Sequence, residues 1–378
     1  MKFTVNKNDI RDLLAKVQGL TGCKTNLAIT ETVLIKIQEE ESGMTLLATD
    51  LETGLEGRYP AEVESGGAIA IHARKLFEIV KEFPNDAILI HEEDARWIRI
   101  GDEKVEYHIG GLDPDDFPEE PRIEDAGFIR IDGPAFSRMI DKTVGVSGPT
   151  DDKRAHIKGV LFETVKKDDQ PFVRIVSTDG SRLVLIDAPY QENPDPDHDN
   201  ESMSGILVPK KGLQEINKFL NVEGTVEVGV KDNNFIVRKE TETLTVRLLE
   251  GDFPDYRGII SRDPGNLIDL DRKDFTMMLR RMAILSSDTY KSVVFNIREN
   301  LLSVTTTNPD VGESKEDMEI FFEEEPIEVA FNPRNFIELL GLIEEDVVAL
   351  DLIDEKKPCL LRGKAQTDLT TVIMPMKI

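Results

Sequence analysis

Two aspartates in matching surroundings are the first residues of this chain that could do chemistry. Asp50 and Asp179 each follow a threonine, and their carboxylates are hard oxygen ligands for divalent cations. A metal-dependent enzyme with these two ligands is therefore one hypothesis. The spacing favours another, because the 129 residues from Asp50 to Asp179 are matched by the 129 residues from Asp179 to Asn308, which also follows a threonine. A unit present in triplicate is more typical of a shaped scaffold than of a catalyst with a single site.

Other chemical motifs are weak. The five histidines are scattered without metal-ligand spacing, and there is no Gly-rich phosphate loop, Gly-x-Ser-x-Gly elbow or Cys-x-x-Cys pair. Asp195, Asp197 and Asp199 resemble the start of a calcium loop, but Asn200 replaces its glycine and Ile206 replaces its bidentate glutamate. We predict a solvated acidic loop there, and we expect no catalysis, metal or cofactor.

The repeated dipeptides lie between elements that also repeat. Each follows an apolar run typical of a strand, namely Met44–Ala48, Phe172–Val176 and Leu301–Val304. Earlier in each copy, apolar residues at i, i+3 and i+4 indicate an amphipathic helix: Ile10, Leu13 and Leu14; Phe136, Met139 and Ile140; Phe275, Met278 and Leu279. A second helix is predicted over Ala73–Phe83, Pro209–Leu220 and Asn332–Ile343, with Pro209 and Pro333 in the first turn. The predicted fold class is α+β, with three similar domains, each mostly antiparallel sheet with two helices.

A second repeat indicates the domain boundaries. Asp-Phe-Pro occurs at Asp116–Pro118 and at Asp252–Pro254, and a polar, proline-rich stretch follows each. We place the boundaries there and predict domains over residues 1–126, 127–264 and 265–378. Each copy, at roughly 125 residues, falls in the usual domain size range.

Composition bears on the compartment. No run of 18 apolar residues is present, so no membrane-spanning helix is expected. The first residues, Met1–Asn6, soon give way to charged ones and lack the apolar region of a signal peptide. Cys23 and Cys359 are the only cysteines and lie in different copies, which favours a reducing cytoplasm over a disulfide framework. We therefore expect a cytoplasmic protein with no membrane partner.

Charge is unevenly distributed along the chain. The formal net charge of -27 argues against a nucleic-acid binder when the chain is taken whole. Six helical segments (7–20, 73–83, 134–147, 209–220, 271–284 and 332–343) nevertheless hold 16 basic and 9 acidic residues, against 30 basic and 64 acidic elsewhere. Lys and Arg are good helix formers, but so is Glu, which is scarce in these segments. We infer that the helices face a polyanion while the acidic exterior repels it.

Size limits how such helices could hold a duplex. A domain of about 125 residues corresponds to a sphere of roughly 18 Å radius. Three touching spheres leave a gap of about 3 Å radius, whereas six in a hexagon leave a hole roughly 35 Å across. A DNA duplex about 20 Å wide fits only the second arrangement. Two chains, and not one, could therefore encircle DNA if the domains form a ring.

Five segments together identify a known family. They are Lys158–Thr164, Ser177–Leu183, Phe253–Arg257, Ala283–Ser286 and Val372–Ile378. In this order and at these separations, the whole chain resembles the beta subunit of bacterial DNA polymerase III, the sliding clamp family. The resemblance implies a head-to-tail homodimeric ring of six similar domains with helices lining the hole. It also implies a processivity factor that encircles duplex DNA without reading its sequence.

The resemblance implies a shared partner-binding pocket between the second and third domains. Its users would be the replicative polymerase subunit, the clamp loader, and repair and translesion factors. Residues at the family's positions are Arg154, Ile157, Thr178, Gly180, Arg182, Leu183, Pro254, Ile259, Val372, Ile373, Met374, Pro375 and Met376. Pro375 cannot donate to a sheet ladder, so the tail is predicted to be an edge or a terminus. Without the resemblance, a last core strand would be the simpler interpretation.

The remaining candidates concern DNA and the second subunit. Lys24 and Arg74 match DNA-facing positions of the family, and the charge count adds Arg138, Lys142, Lys210, Lys211, Lys218, Arg272, Arg280 and Arg281. The family's dimer contacts correspond to Tyr107 and Ile109 on one side and to Ile284 and Leu285 on the other, although the last two could equally form the core end of a helix. A repeat-built interaction scaffold that never touches DNA stays an alternative, as does the metal-dependent enzyme.

Overall fold

Each copy of the repeat begins with a strand and a helix, continues with a sheet and a second helix, and ends with three strands. The computed structural model describes residues 1–22, 27–38, 43–93, 96–119, 121, 123, 126–149, 152–192, 203, 205–220, 223–287 and 291–377. The first copy comprises β1 (Lys2–Asn6), α1 (Lys7–Thr21), β2 (Thr32–Ile37), β3 (Gly43–Thr49), β4 (Thr53–Pro60), β5 (Glu62–Ser65), β6 (Gly67–His72), α2 (Ala73–Glu82), β7 (Ala87–Glu92), β8 (Trp97–Gly101) and β9 (Glu106–Gly110).

The second and third copies follow the same order of elements, except that they lack a counterpart of β5 and that the second adds the short helix α4. The second comprises β10 (Gly127–Asp132), α3 (Gly133–Val144), α4 (Ala155–Lys158), β11 (Gly159–Lys167), β12 (Gln170–Thr178), β13 (Arg182–Glu192), β14 (Ile206–Pro209), α5 (Lys210–Phe219), β15 (Thr225–Lys231), β16 (Asn234–Lys239) and β17 (Glu242–Arg247). After the short helix α6 (Arg257–Ile260), the third comprises β18 (Asn266–Asp271), α7 (Arg272–Met282), β19 (Val293–Arg298), β20 (Leu301–Asn308), β21 (Gly312–Glu319), β22 (Ile327–Phe331), α8 (Pro333–Leu340), β23 (Val347–Leu352), β24 (Cys359–Gly363) and β25 (Leu369–Ile373).

Strand pairing repeats too, and the ladders between the named strands are antiparallel. The order β1-β7-β8-β9 recurs as β10-β15-β16-β17 and as β18-β23-β24-β25. The order β6-β2-β3-β4 recurs as β14-β11-β12-β13 and as β22-β19-β20-β21. The predicted α+β class with mostly antiparallel sheet is confirmed.

Two ladders join one copy to the next. The last strand of the second copy, β17, pairs with β4 of the first, and the last strand of the third copy, β25, pairs with β13 of the second. Within the described residues, β9 and β21 have no such partner, although their counterparts in the other copies do. Most residues of β9 and of β21 are exposed and none is buried, whereas half of those of β17 and most of those of β25 are buried.

The described residues group into two compact units. The first covers Met1–Ser137, Tyr190–Ser204 and Lys211–Leu249, and the second covers Arg138–Pro189, Gly205–Lys210 and Glu250–Ile378. No helix in the described ranges has the length and apolarity that a membrane crossing requires. The acidic loop predicted at Asp195–Asp199 lies outside the described residues.

The predicted apolar stripes are buried. All nine stripe residues of α1, α3 and α7 have at most 1% of their surface exposed. Pro333 occupies the first turn of α8 after the N-cap Asn332, as predicted. Pro209 differs from the prediction, because it ends β14 and α5 begins one residue later. The period of the apolar residues thus predicted the helices, while this boundary was wrong by one residue.

Four phenylalanines form the centre of the third copy. Phe275, Phe295, Phe331 and Phe336 are fully buried, and their ring centroids lie 5.1–5.9 Å apart in edge-to-face and tilted pairs. Such aromatic pairs add to the free energy gained by burying the rings. This core supports α7 and α8.

We predict that Phe336→Ala lowers the free energy of unfolding by about 3–5 kcal/mol, because it leaves a cavity in this core. Urea denaturation followed by circular dichroism measures the change. Phe321→Ala is the matched control, since 75% of Phe321 is exposed and its removal should cost less than about 0.5 kcal/mol. Equal losses in the two variants would contradict the assignment of this core.

Candidate functional site

The three threonine–acid dipeptides form similar turns. Asp50 Oδ1 accepts hydrogen bonds from the backbone N–H groups of positions 52 and 53 at 3.0 and 2.7 Å. Asp179 Oδ1 accepts from positions 181 and 182 at 2.8 and 3.0 Å, and Asn308 Oδ1 accepts from position 310 at 3.1 Å. A side-chain oxygen bound to the backbone two residues further on defines an Asx turn. The spacing of 129 residues therefore marks a repeated turn.

The carboxylates proposed as metal ligands also have cationic partners. Asp50 Oδ2 accepts a hydrogen bond from the Lys211 ammonium, and Asp179 Oδ2 accepts one from Arg182 Nε at 2.9 Å. In the part of the chain that the structure describes, no three His, Cys, Asp or Glu side chains are grouped so as to hold a metal ion. Asp50 and Asp179 thus take part in turns and in ion pairs.

A cleft opens beside the Asp179 turn, within the second compact unit. One wall is the turn and the start of β13, a second is the segment around Asp-Phe-Pro, and a third is the end of β25. Leu183 pairs with Val372 in the β13–β25 ladder, which brings two walls together. The cleft is lined by His156, Thr178, Gly180, Arg182, Leu183, Phe253, Pro254, Asp255, Tyr256, Ile259, Val372 and Met374.

The backbone at Gly180 shapes the floor of the cleft. Its φ of +90° lies in the left-handed region that favours glycine. Ile157 Cδ1 and Arg154 Nη1 lie 3.8 and 3.9 Å from the position that a Cβ would take at this residue. Arg154 and Ile157 therefore border the cleft at Gly180.

The C-terminal tail forms the third wall through alternating backbone hydrogen bonds. Met374 N–H donates to Ser181 O at 2.9 Å, and Met376 N–H donates to Ala330 O at 2.8 Å. Pro375, which has no N–H, lies between them. β25 ends at Ile373, so Pro375 lies beyond the ladder as predicted. Val372 and Ile373, however, lie in a central strand that pairs with both β13 and β24, so for them the prediction of an edge was wrong. Met374 leaves 40% of its surface exposed, so its thioether is available to a partner.

The predicted pocket residues fall into three groups. The structure brings Thr178, Gly180, Arg182, Leu183, Pro254, Ile259, Val372 and Met374 into the cleft lining, and it places Arg154 and Ile157 beside Gly180. Ile373, Pro375 and Met376 are not among the lining residues, and Ile373 is fully buried. Sequence reasoning missed His156, Phe253, Asp255 and Tyr256. The repeat of Asp-Phe-Pro was the signal that could have found Phe253. That these residues bind a partner stays a prediction.

A buried polar network supports the second wall. Glu163, with 1% of its surface exposed, accepts hydrogen bonds from the Tyr256 hydroxyl and from Arg257 Nη2, the latter at 2.6 Å. The Tyr256 ring contacts Phe253 edge to face, with centroids 6.1 Å apart. Burial, and then the hydrogen bond to Glu163, raises the pKa of Tyr256 to about 12. Glu163 thus fixes Tyr256, and Tyr256 fixes the Phe253 side of the cleft.

Arg182 is largely occupied by neighbouring carboxylates. Besides its bond to Asp179, its Nη1 lies 2.5 Å from Glu338 Oε2, an ion pair whose angles do not meet hydrogen-bond geometry. Only 10% of the side chain is exposed. A partner carboxylate or carbonyl would therefore compete with Asp179 and Glu338 for this guanidinium.

Most of the cations predicted to face DNA bind acidic side chains of their own unit. The ion pairs are Arg74–Glu78, Arg138–Asp368 and Arg138–Glu344, Lys142–Glu344, Lys211–Asp50, Lys218–Glu215 and Arg281–Glu316. Lys210 and Arg272 donate to the carbonyls of Ser147 and Glu345. Arg280 is exposed and has no ion-pair partner among the described residues, and Lys24 lies outside them. The surplus of positive charge counted from the helices is thus partly neutralised by residues outside them.

The residues predicted to join two subunits lie in different compact units. Tyr107 is 37% exposed and Ile109 is partly buried, both on the edge strand β9. Ile284 is 78% exposed, and Leu285 is partly buried in the turn Ala283–Leu285 that ends α7. The alternative that Ile284 lies at the core end of a helix is wrong, because its side chain is exposed and a core side chain would be buried.

Three copies of one α+β module, joined by shared antiparallel ladders, define the class of DNA clamp proteins. Family models of the DNA polymerase III beta subunit match in chain order: the N-terminal domain over residues 1–121, the central domain over 130–255 and the C-terminal domain over 257–377. The chain belongs to the DNA polymerase III beta subunit family.

Relatives match over their full length. The chain is 28% identical over 380 residues to the beta sliding clamp of Vibrio cholerae and 27% identical over 382 residues to that of Pseudomonas putida, and each alignment covers 100% of both chains. Among solved structures, the DNA polymerase III subunit beta of Pseudomonas aeruginosa is 27% identical, with a TM-score of 0.89 and 100% coverage of both chains. A sliding clamp from the same organism, 27% identical with a TM-score of 0.86 and the same coverage, was solved bound to griselimycin.

We predict that Tyr256→Phe flattens the loss of stability at alkaline pH. The folded protein raises the pKa of Tyr256 from about 10 to about 12, so this stabilisation is complete below pH 10 and is lost as pH rises from 10 to 12. The wild-type free energy of unfolding should fall over that interval by on the order of 2 kcal/mol more than that of the variant. Urea denaturation at pH 9, 10, 11 and 12 measures the difference, and parallel curves would contradict the role of the buried hydroxyl.

Proposed function

We propose that this protein is a processivity factor that encircles duplex DNA as a head-to-tail homodimer and tethers the replicative polymerase. The clamp loader and repair and translesion factors would use the same cleft. It would act as a sliding clamp and not as an enzyme. Its domains would cover residues 1–126, 127–264 and 265–378, and it would be located in the cytoplasm. The observation that carries the proposal is the pair of strands, β9 and β21, for which the described residues supply no ladder like those at equivalent places in the other copies.

Unpaired strands explain why a second chain is needed. In both described junctions, the last strand of one copy completes a sheet of the preceding copy. The last strand of the first copy is β9, and the strand of the third copy that corresponds to β4 and β13 is β21. Joining β9 of one chain to β21 of another satisfies two exposed edges, which otherwise invite uncontrolled pairing. Repeating this contact in both directions closes a ring of two chains and six domains.

The repeat also specifies the register of that contact. Val246 lies opposite Thr53 in one junction, and Ile373 lies opposite Arg182 in the other. Thr53 and Arg182 stand three residues after the acid of their turn, as Val311 does after Asn308. Ile109 is the second-last residue of β9, as Val246 is of β17. By the pattern of the β17–β4 junction, Ile109 would lie opposite Val311 of a second copy.

Weak contacts suit the proposed hold on DNA. Exposed ion pairs such as Arg74–Glu78 contribute little to stability, so phosphates can displace their carboxylates at little cost. Contacts to phosphates position a protein without reading sequence, and salt weakens them. Retention would then depend on ring closure and not on a tight binding site.

Ring closure predicts how the protein leaves DNA. The Ile109→Cys/Val311→Cys protein is loaded onto nicked circular DNA with a clamp loader and ATP and is then oxidised. It should stay on the circle in about 1 M salt, where charge contacts are screened within about 3 Å. Cutting the circle should release it, because a ring slides off an end. Gel filtration of the loaded fraction reports retention, and the free protein should have twice the mass of one 42.5 kDa chain.

The matched control is Ile109→Cys/Lys315→Cys, which moves one thiol four residues along the chain and should not cross-link. Release from uncut circles by salt, or equal retention on circular and linear DNA, would contradict a closed ring. It would favour a scaffold that binds DNA by charge or not at all.

The cleft predicts a second outcome. Two or three apolar anchors, each worth about 1.5–3 kcal/mol when buried, less the cost of ordering the segment, give roughly micromolar affinity for an extended peptide. Met374→Lys should weaken the binding of a peptide from the replicative polymerase subunit at least about tenfold, because it places a charge on the apolar third wall. Fluorescence anisotropy of the labelled peptide measures the dissociation constant.

Leu267→Lys is the matched control for this substitution. Leu267 is 60% exposed on β18 and does not line the cleft, so the same added charge there should leave peptide binding unchanged. Equal weakening in both variants would point to charge repulsion by the whole protein and would contradict the assignment of the cleft.

A further inference from the structure

A second groove repeats the plan of the cleft in the first compact unit. It opens beside the Asp50 turn and is lined by Leu51, Gly54, Phe117, Pro118 and Thr245, among others. Its walls match those of the cleft one by one, since each site combines an Asx turn, an Asp-Phe-Pro segment and the last strand of the next copy. We call this second site the first groove, and the cleft is the site beside the Asp179 turn.

The ladder register supports this correspondence. Thr245 lies opposite Gly54 in the β17–β4 ladder, as Val372 lies opposite Leu183 in the β25–β13 ladder. All four residues line their respective sites. The empty volume, including the solvent-filled opening, is about 730 Å³ in the first groove and about 590 Å³ in the cleft. The first copy therefore keeps room for an occupant.

Leu51 at the rim of the first groove is in an unfavourable conformation. Its φ is +77°, in the left-handed region where Gly180 stands in the cleft with a φ of +90°. A leucine is disfavoured there, because its Cβ crowds the backbone, and glycine or asparagine is the usual residue. Burial offers little compensation, since 47% of Leu51 is exposed. A strained residue that presents an apolar side chain at a groove points to a binding contact.

Charge distinguishes the two sites. Glu52, Glu56 and Glu119 line the first groove, and no Lys or Arg does so among the described residues. The cleft instead includes one arginine, Arg182, and one carboxylate, Asp255, beside His156. The first groove thus complements a cationic occupant, which the cleft does not.

We propose that the first groove binds a short extended segment of a partner protein, in which apolar side chains are flanked by Lys or Arg. The proposal rests on the proposed function, because it treats the first groove as a second docking site of the same clamp. One apolar side chain packs against Leu51 and Phe117, and the flanking cations lie near Glu52 and Glu119. A partner with such a segment could stay on the clamp while another occupies the cleft.

The test uses the full-length dimer and a fluorescein-labelled hexapeptide of sequence Lys-Leu-Lys-Leu-Phe-Lys. We expect anisotropy to show saturable binding that Leu51→Asn weakens at least about tenfold, since Asn suits the left-handed backbone but removes the apolar contact. The melting temperature of Leu51→Asn should not fall, which separates lost binding from lost folding. Leu267→Asn, at an exposed leucine outside both sites, should bind as the wild type does.

Charge and location have their own readouts. Glu52→Gln/Glu119→Gln should weaken the lysine peptide and flatten its salt dependence, and the peptide with Glu in place of Lys should bind at least about tenfold more weakly. Met374→Lys, in the cleft, should not abolish binding of the lysine peptide. Absence of saturable binding, insensitivity to Leu51→Asn, or loss of binding in Met374→Lys would each overturn the inference. If a polymerase peptide still depends on Met374 in that case, the proposed function stands and only the first groove is refuted.

Discussion

The structure depends on one constraint, the need of an edge strand for a partner. Each copy ends in a strand whose outer hydrogen-bonding groups are unsatisfied within that copy. At the β17–β4 and β25–β13 junctions, the neighbouring copy supplies the missing ladder. A chain of three copies built by this rule has two edges left over, on β9 and β21. A second chain joined head to tail supplies a partner for both edges and closes the assembly.

The same constraint creates the cleft and the first groove. A shared ladder brings the last strand of one copy beside the Asx turn of the preceding copy, and the Asp-Phe-Pro segment between the copies crosses the same place. Backbone hydrogen bonds hold these walls apart at a fixed distance, so the groove does not depend on the side chains that line it. Those side chains are free to differ, as the glutamates near Leu51 and the Arg182 guanidinium show. Two sites of one plan can therefore differ in the charge of their lining residues.

Local patterns predicted much of the fold, while distant contacts escaped sequence reasoning. The i, i+3, i+4 stripes found α1, α3 and α7 because helix periodicity is a local property. The spacing of Asp50, Asp179 and Asn308 found the repeat, although the turns themselves were not recognised. Eight lining residues of the cleft were predicted through family resemblance, and Tyr256 was missed because its role depends on Glu163, 93 residues away. The partner of Arg138, Asp368, is 230 residues away and left no pattern in the sequence.

Those distant ion pairs change the meaning of the charge count. Counted alone, the helices carry a surplus of cations that suggests strong attraction to DNA. In the folded chain, Asp368, Glu344 and Glu316 form ion pairs with these cations, so much of the excess positive charge is already paired when no DNA is bound. A phosphate must then replace a carboxylate at each contact, and the net gain of each exchange is small because one ion pair is traded for another. Small gains repeated around a ring leave the free energy nearly level as the duplex advances, and a nearly level free energy is what sliding requires.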